Sequence, residues 1–164
     1  MHYFPEPDTP GLQPFAQAFV HLMFAHAEFE RRISDLMGVI TCQSDFGEQP
    51  KNQWSEKERP KLMKKLIKQH QGKHIGGITE TNEIVACLQR AIAPSDDRNM
   101  LAHGHWWAFN VGAGSITVRA TKHWPNEERH RDFTIVEILE VAELFEQLEV
   151  ELFFLQRHIE ARDA

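Results

Sequence analysis

After a proline-rich lead over residues 1–11, apolar positions recur at alternating steps of three and four through residues 12–36. This spacing predicts a long helix with one side packed against partner helices. His26 falls in the same row, which predicts a buried and hydrogen-bonded imidazole. Gly38 is expected to end the helix, because glycine is favoured just past helix C-termini, and residues 39–54 are predicted to form a loop.

Two shorter amphipathic helices are predicted next. The first covers residues 55–71, with leucine, isoleucine and methionine on one side. Its other side, which we call the lysine face, comprises Lys57, Lys61, Lys64, Lys65 and Lys68. The second directs apolar residues inward from Ile84 to Ile92. It is expected to end at Pro94, because proline cannot continue a helix.

A short fourth helix is expected to begin at Ser95, since serine caps helix N-termini well. Beyond it, apolar residues alternate with other positions on both sides of a glycine-rich turn, which predicts a small β-hairpin over residues 105–121. In this alternation Trp107 and Phe109 face the core, and Trp106 faces the open side.

The final predicted element is a second long helix. Thr134 and Glu137 form a capping-box pair ahead of an apolar row that ends at Ile159. Long and short helices with short connections favour an all-α fold, an antiparallel bundle of four to five helices with the hairpin inserted before the last helix. The 164 residues fit one domain of this kind, with residues 1–11 as its N-terminal tail.

Composition narrows the classes of function. A net charge of −6 argues against generic wrapping of nucleic acid, so we expect no DNA partner. Cys42 and Cys87 have no spacing typical of a disulfide framework or a zinc knuckle, which favours a reducing cytoplasm. The N-terminus shows no secretion signal, and no apolar run reaches the roughly 18 residues that span a bilayer, so no membrane partner is expected.

Charge is distributed unevenly along the chain. Residues 51–74 hold eight Lys or Arg against two Glu, whereas residues 126–164 hold four Arg against eleven acids. On one interpretation the lysine face is solvated, or it pairs with acidic helix faces across a dimer. On the other, Lys61, Lys64 and Lys68 bind phosphates, from which most sequence-independent affinity for nucleic acids arises.

The stretch "RNMLAHG", residues 98–104, combines an arginine, an amide and a histidine in one short helix that Gly104 would cap. The guanidinium of Arg98 is always charged and presents a planar fork that fits phosphate oxygens. Histidine moves protons near neutral pH. Together they supply what cleavage of RNA through its 2′-hydroxyl needs, which is a group that moves protons and a cation for the charge that grows on the phosphorane, and no metal is required.

A structural interpretation of the same residues stays open. Here Arg98 pairs with Asp96, with Asp97 or with an acid of the last helix, and the motif does no chemistry. His103 then makes a hydrogen bond at the C-terminus of its helix.

This stretch resembles the signature of the HEPN family, which is an arginine, a polar residue directly after it and a histidine after four to six intervening residues. The variant with "AHG" resembles the bacterial members of that family. The resemblance implies a metal-independent endoribonuclease of toxin or phage-defence type without a cofactor. His103 would be the general acid/base, Arg98 the phosphate clamp and Asn99 the orienting group. It also implies a homodimer with both motifs in one groove, and an antitoxin protein as a further partner. The residue-level match covers positions 98–104, and the hairpin departs from the simplest members.

His105 and Trp106 follow the motif directly and are candidate substrate-binding residues. Aromatic rings stack on unpaired bases of single-stranded RNA, whereas a tryptophan at the start of a hairpin more often covers the core. A non-catalytic HEPN-like module that binds nucleotide, RNA or a partner protein is the alternative to an enzyme.

The ten histidines also raise the alternative of a metal site, because imidazole is a common zinc ligand. The sequence has no HExxH motif and no carboxylates spaced to complete a metal shell. The histidines in question are His70, His74, His103, His105, His123 and His130.

Overall fold

A computed structural model describes residues 11–42, 54–73, 76–112, 115–124 and 127–163. The helices are α1 (Leu12–Thr41), α2 (Arg59–His70), α3 (Thr81–Arg90), α4 (Ile92–His103) and α5 (Ile135–Asp163). The strands are β1 (His105–Gly112), β2 (Ser115–Trp124) and β3 (Glu127–Thr134), which form an antiparallel sheet in the order β1-β2-β3. The prediction of a mainly helical chain is confirmed, but the predicted hairpin is two strands of a three-stranded sheet.

The sequence does not predict β3, because the segment "EERHRDFT" is polar almost throughout. Phe133 is fully buried opposite Val118 and supplies its main apolar contact. Arg119 on β2 forms an ion pair with its cross-strand neighbour Asp132, with 2.7 Å between Nε and Oδ1. The hydrogen bond from Arg119 holds the pKa of Asp132 below its usual range. Cross-strand charge pairing therefore contributes to a strand that apolar alternation does not reveal.

The assignment of β1 residues to the two faces of the sheet also differs from the prediction. Trp106 pairs in register with the fully buried Ala120, so it belongs to the covered face of the sheet. Trp107 lies opposite Arg119, whose side chain is exposed. The strand pairing is irregular near the turn, so alternation counted from the turn gives the wrong face. The expectation that Trp106 faces the open side is therefore wrong.

Helix ends follow burial and capping. α1 continues past Gly38 because Ile40 is fully buried, and the helix stops at Cys42, whose φ is +54°. Gly38 is therefore not the end of the helix. Residues 43–53 of the predicted loop lie outside the described residues. No helix of the described segments is both long and apolar enough to cross a bilayer.

The start of α4 differs from the prediction, and the start of α5 agrees with it. α4 begins at Ile92, with Pro94 in the first turn, where proline is tolerated because no intrahelical N–H bond is needed. Ser95 is therefore a buried helical residue and not the N-cap. The capping box is confirmed, because the backbone N–H of Thr134 donates to Glu137 at 2.8 Å and that of Glu137 donates to Thr134 Oγ1 at 3.2 Å.

The chain divides into two compact units. The first comprises Met1–His26 and Pro94–Leu144, and the second comprises Ala27–Ala93 and Phe145–Ala164. Each long helix contributes to both units. The buried residues of the first unit include Phe15, Leu22, Ile116, Val118, Phe133 and Ile138. Those of the second include Phe29, Ile33, Leu36, Met63, Ile67, Leu148, Leu152 and Ile159.

Within the second unit, α1 and α5 run in the same direction. Phe29 packs against Phe145, with ring centroids 5.4 Å apart. Arg32, one turn later on α1, donates to Glu149, which is also one turn later on α5, at 2.7 Å. The all-antiparallel bundle is therefore wrong for the two long helices.

α3 runs antiparallel to α5 in the same unit. Arg162 near the end of α5 pairs with Glu80 just before α3, whereas Arg90 at the end of α3 pairs with Glu151 at 2.7 Å. Burial favours a raised pKa for Glu80, but hydrogen bonds from Arg162 and from backbone N–H groups outweigh it and lower that pKa. The two ion pairs align α3 along the second half of α5.

Candidate functional site

The three residues of the motif lie in the C-terminal half of α4, within the first unit. Arg98 is half-buried, and its Nη1 donates to Oδ1 of Asn99 at 2.8 Å. His103 is exposed and lies four residues after Asn99, so the two are neighbours on the helix surface. Because residues 98 and 103 differ by about 140° around an ideal helix, Asn99 lies between them. The helix thus brings a guanidinium, an amide and an imidazole to one side of its end.

Two buried polar atoms of α4 have no hydrogen-bond partner among the described residues. They are Nε of Arg98 and Oγ of Ser95, and Ser95 is fully buried. The two residues are three positions apart and therefore neighbours on the helix. A buried donor without an acceptor costs roughly 1–3 kcal/mol. Nε of Arg59 and Nε of Arg162 are in the same state among the described residues, so this feature does not by itself mark Arg98 as a binding residue.

Asp97 binds another arginine instead of Arg98. It forms an ion pair with Arg131 of β3, whose guanidinium also lies 5.0 Å from the ring centroid of Phe133. The pair fastens α4 to the sheet. The structural interpretation in which Asp97 binds Arg98 is therefore wrong, and the sequence could not show this because β3 is not predicted from it.

Gly104 ends α4 directly after His103. Its N–H donates to the carbonyl of Met100 at 2.9 Å. A Cβ at position 104 would lie 2.4 Å from that same oxygen, so a larger residue requires the helix end to shift. His103 is thereby held at the last position of α4, and within the described part of the chain its ring makes no hydrogen bond or ion pair. The expected hydrogen bond of His103 to the helix C-terminus is not observed there.

His105 is exposed at the first position of β1, whereas Trp106 is a packing residue. The indole N–H of Trp106 donates to the carbonyl of Leu101 at 2.7 Å. Its ring meets Phe15 and Phe19 of α1 edge-on, with centroids 5.3 and 4.9 Å away. Trp106 therefore fastens the junction between α4 and β1 to α1, and stacking of Trp106 on a base stays a prediction. The side chain of Trp107 lies outside the description.

The lysine face belongs to the second unit, where all five of its lysines are exposed. Lys61, Lys64 and Lys68 make no ion pair with any residue that the structure describes. The helix that carries them is anchored instead by the buried Arg59, whose Nη1 lies 2.6 Å from Oε1 of Glu30 in a partly buried ion pair. Within the described second unit, the charge of these three lysines is therefore available for binding an anion.

The described residues do not support the alternative of a metal site. Among them, no three His, Cys, Asp or Glu side chains are grouped so that they could hold one ion. Nδ1 of His70 instead lies 3.0 Å from the carbonyl of Leu66. His74 and the side chain of His123 lie outside the description. His26 is 6% exposed, which confirms its predicted burial.

A cleft of about 410 Å³ between α3 and α5 is a feature that the sequence did not indicate. Its walls include Ala86 and Phe154, and the thiol of Cys87 donates to Glu151 at 3.2 Å. Burial, reinforced by Glu151, raises the pKa of Cys87 to about 12. A thiol that stays protonated is a poor nucleophile, so this cleft lacks an activated cysteine.

The end of α4 thus combines a cationic donor held by an amide with an exposed imidazole, which suits binding of a phosphate and transfer of a proton. These candidate residues are the ones that the motif indicates, and the structure adds the hydrogen bond between Arg98 and Asn99. No protein-family model, curated protein or solved structure matches the chain.

Proposed function

We propose that the protein is a metal-independent endoribonuclease of the HEPN type, built on a helical bundle and acting in the cytoplasm as a toxin or phage-defence effector. The observation that carries the proposal is the Arg98–Asn99 hydrogen bond beside the exposed His103 at the end of α4. Arg98 binds the scissile phosphate, and Asn99 orients its guanidinium through the amide oxygen. His103 transfers the proton.

The proposed reaction is an internal transesterification of RNA. The 2′-hydroxyl loses its proton to a base, and its oxygen forms a bond to the adjacent phosphorus. The bond from phosphorus to the 5′-oxygen breaks, and that oxygen takes up a proton. The products are a 2′,3′-cyclic phosphate and a 5′-hydroxyl. Arg98 stabilises the charge that grows on the phosphorane.

One histidine serves only one of these two proton transfers at a time, and a positioned proton-transfer group contributes about 10²- to 10⁴-fold in rate. We therefore propose that two copies of the chain bring their motifs to one groove, with the second imidazole from the partner. Exposure of His103 is consistent with this arrangement. An antitoxin protein that covers the groove would be the natural regulator of such an enzyme.

Cleavage of a labelled single-stranded RNA by purified protein in the presence of a metal chelator tests the proposal. We expect fragments that end in 2′,3′-cyclic phosphates, and none from the Arg98→Ala variant. Induced expression in a bacterium should fragment cellular RNA and therefore stop growth. If excess protein leaves ribosomal, transfer and messenger RNA intact but is stabilised by nucleotides in thermal unfolding, the protein is a non-catalytic binding module instead.

The lysine face provides a second prediction, tested in a His103→Ala background in which cleavage is slow enough for binding to be measured. Replacing Lys61, Lys64 and Lys68 together with glutamine should weaken RNA binding and reduce the slope of log affinity against log salt by about 2, since each neutralised phosphate contributes about 0.7 for single strands. Fluorescence anisotropy at several salt concentrations measures this slope. Lys73→Gln, an exposed lysine just past α2, is the matched control. An unchanged slope in the triple variant would remove these lysines from the RNA-binding surface.

A further inference from the structure

The cleft between α3 and α5 in the second unit has an apolar middle. There it is lined by Ala86 and Cys87 of α3 and by Phe154 and Leu155 of α5. Its volume of about 410 Å³ falls within the roughly 300–1,000 Å³ that is usual for small-molecule sites, which are mostly apolar with a few polar groups. The cleft is therefore large enough to hold an organic molecule of one or two rings.

One end of the cleft is electrically balanced. Arg90 pairs with Glu151 at 2.7 Å, and the thiol of Cys87 donates to the same carboxylate at 3.2 Å. The hydrogen bond from Arg90 holds the pKa of Glu151 below its usual range, so this carboxylate stays ionised near neutral pH. The guanidinium at this end already has its anion, and a second anion would have to displace Glu151.

The other end of the cleft carries an uncompensated carboxylate. Glu83 lies seven residues before Arg90, and His158 lies seven residues after Glu151. Because α3 and α5 are antiparallel, both lie two helical turns, or about 10 Å, from the ion pair. Both are exposed, and neither forms a hydrogen bond or an ion pair with any residue that the structure describes. When the imidazole is neutral, this end therefore has a net negative charge.

Phe154 gives the cleft an aromatic wall. Its neighbour Phe153 meets it edge-on, with 5.6 Å between the ring centroids, and the guanidinium of Arg32 lies 4.7 Å from the Phe153 centroid. Phe153 is thus engaged in packing with α1, whereas Phe154 is 57% exposed beside the cleft. The face of an aromatic ring attracts cations as well as planar apolar groups. An exposed phenyl one turn before His158 therefore suits a ligand that is both planar and cationic.

We propose that this cleft binds a small organic cation, an amine attached to a planar apolar body. The body lies in the middle of the cleft against Phe154 and Ala86, and the amine lies at the open end. An ammonium group has three N–H donors and no acceptor, so it fits a carboxylate and a neutral imidazole, here Glu83 and His158. Binding of this kind does not depend on the ribonuclease function proposed above.

Charge selects a cation over an anionic ligand. The lining holds two carboxylates, Glu83 and Glu151, against one guanidinium, Arg90. Since Arg90 is bound by Glu151, a phosphate or carboxylate in the cleft would meet Glu83 without a cation of its own. A neutral ligand would gain the apolar contacts but would leave the Glu83 carboxylate without a partner.

Three probes with the same indole ring test the assignment at one pH. Tryptamine carries an ammonium group, tryptophol a hydroxyl in its place, and indolepropionate a carboxylate. Amide chemical shifts of the isotope-labelled protein measure binding and its location. We expect tryptamine to shift the amides around Glu83 and Phe154 with a Kd of about 1 mM, as is usual for so small a ligand. Tryptophol should bind about three- to five-fold more weakly, the range of an exposed ion pair, and indolepropionate more weakly still.

Two variants separate the charge from the cavity. Glu83→Gln should weaken tryptamine binding by about three- to five-fold and leave tryptophol binding unchanged. Glu146→Gln, which removes an exposed carboxylate of the same unit outside the cleft, is the matched control and should change neither. Ala86→Phe fills the cleft from an exposed helix position without changing its charge, so it should abolish binding of both probes. Amide shifts that change only around the cleft would show that this variant folds.

Four results would each overturn the site. The first is an equal affinity for all three probes, and the second is an unchanged affinity of Glu83→Gln for tryptamine, since either removes the role of charge. The third is wild-type affinity of a folded Ala86→Phe variant, which would move binding out of the cleft. The fourth is a change of the Ala86 and Phe154 amide shifts on dilution without any probe, which would make a second copy of the chain the occupant.

Discussion

Replacing His103 with alanine should lower the rate of RNA cleavage by about 10²- to 10⁴-fold, the usual contribution of a positioned proton-transfer group. The imidazole is exposed at the end of α4 and makes no hydrogen bond or ion pair with the described residues. Its loss should therefore change the free energy of unfolding by less than about 0.5 kcal/mol, as is usual for surface substitutions. Single-turnover cleavage and denaturant unfolding measure the two quantities.

His105→Ala is the matched control for this variant. It removes another exposed imidazole only two residues away, at the start of β1. If His105 binds substrate, as proposed, its loss should affect the concentration of RNA needed for half-maximal rate more than the maximal rate itself. Equal losses of maximal rate in the two variants, or full activity without His103, would contradict the role assigned to His103.

Replacing Glu30 with alanine should reduce the free energy of unfolding by about 1–3 kcal/mol, because the buried guanidinium of Arg59 then loses its acceptor. The two nitrogens of the Arg59 fork lie 2.6 and 3.1 Å from the carboxylate of Glu30. The Arg59 side chain is 6% exposed and that of Glu30 is 14% exposed. Urea unfolding followed by circular dichroism measures the change.

Glu28→Ala is the control, two residues earlier on the same helix. Its partner Arg31 and Glu28 itself are 53% and 59% exposed, so the loss should be at most about 1 kcal/mol. A double variant, Glu30→Leu with Arg59→Met, should recover most of the lost stability, since it leaves no charge buried. Similar small losses in Glu30→Ala and Glu28→Ala would show that the Glu30–Arg59 pair is not important for folding.

Elements with strong local patterns were predictable from the sequence. α1 and α5 follow long apolar rows, and Thr134 with Glu137 forms the expected capping box. β3 was not predictable, because cross-strand charge pairs and one buried phenyl contribute little to apolar alternation. The direction of α5 was not predictable either, because it depends on contacts with α1 that are remote in sequence.

The candidate site, too, was predictable from the sequence only in part. Its members Arg98, Asn99 and His103 come from a motif readable in the sequence, and the structure places them on one helix. The surroundings of the motif were not predictable: Asp97, the acid next to Arg98, binds Arg131 of a strand that the sequence did not reveal. Likewise, the direction of Trp106 depends on strand register, which alternation alone does not determine.

The parallel pairing of the two long helices has a consequence for synthesis of the chain. Arg32 and Glu149 are 117 residues apart in the sequence, and both compact units include residues of α5. Neither core is complete until residues 135–163 have left the ribosome, so the part of the apolar side of α1 that α5 covers stays exposed through most of translation. Contacts of such high sequence separation slow folding and expose nascent chains to aggregation. A chain stalled before α5 should therefore be a substrate for chaperones and proteases.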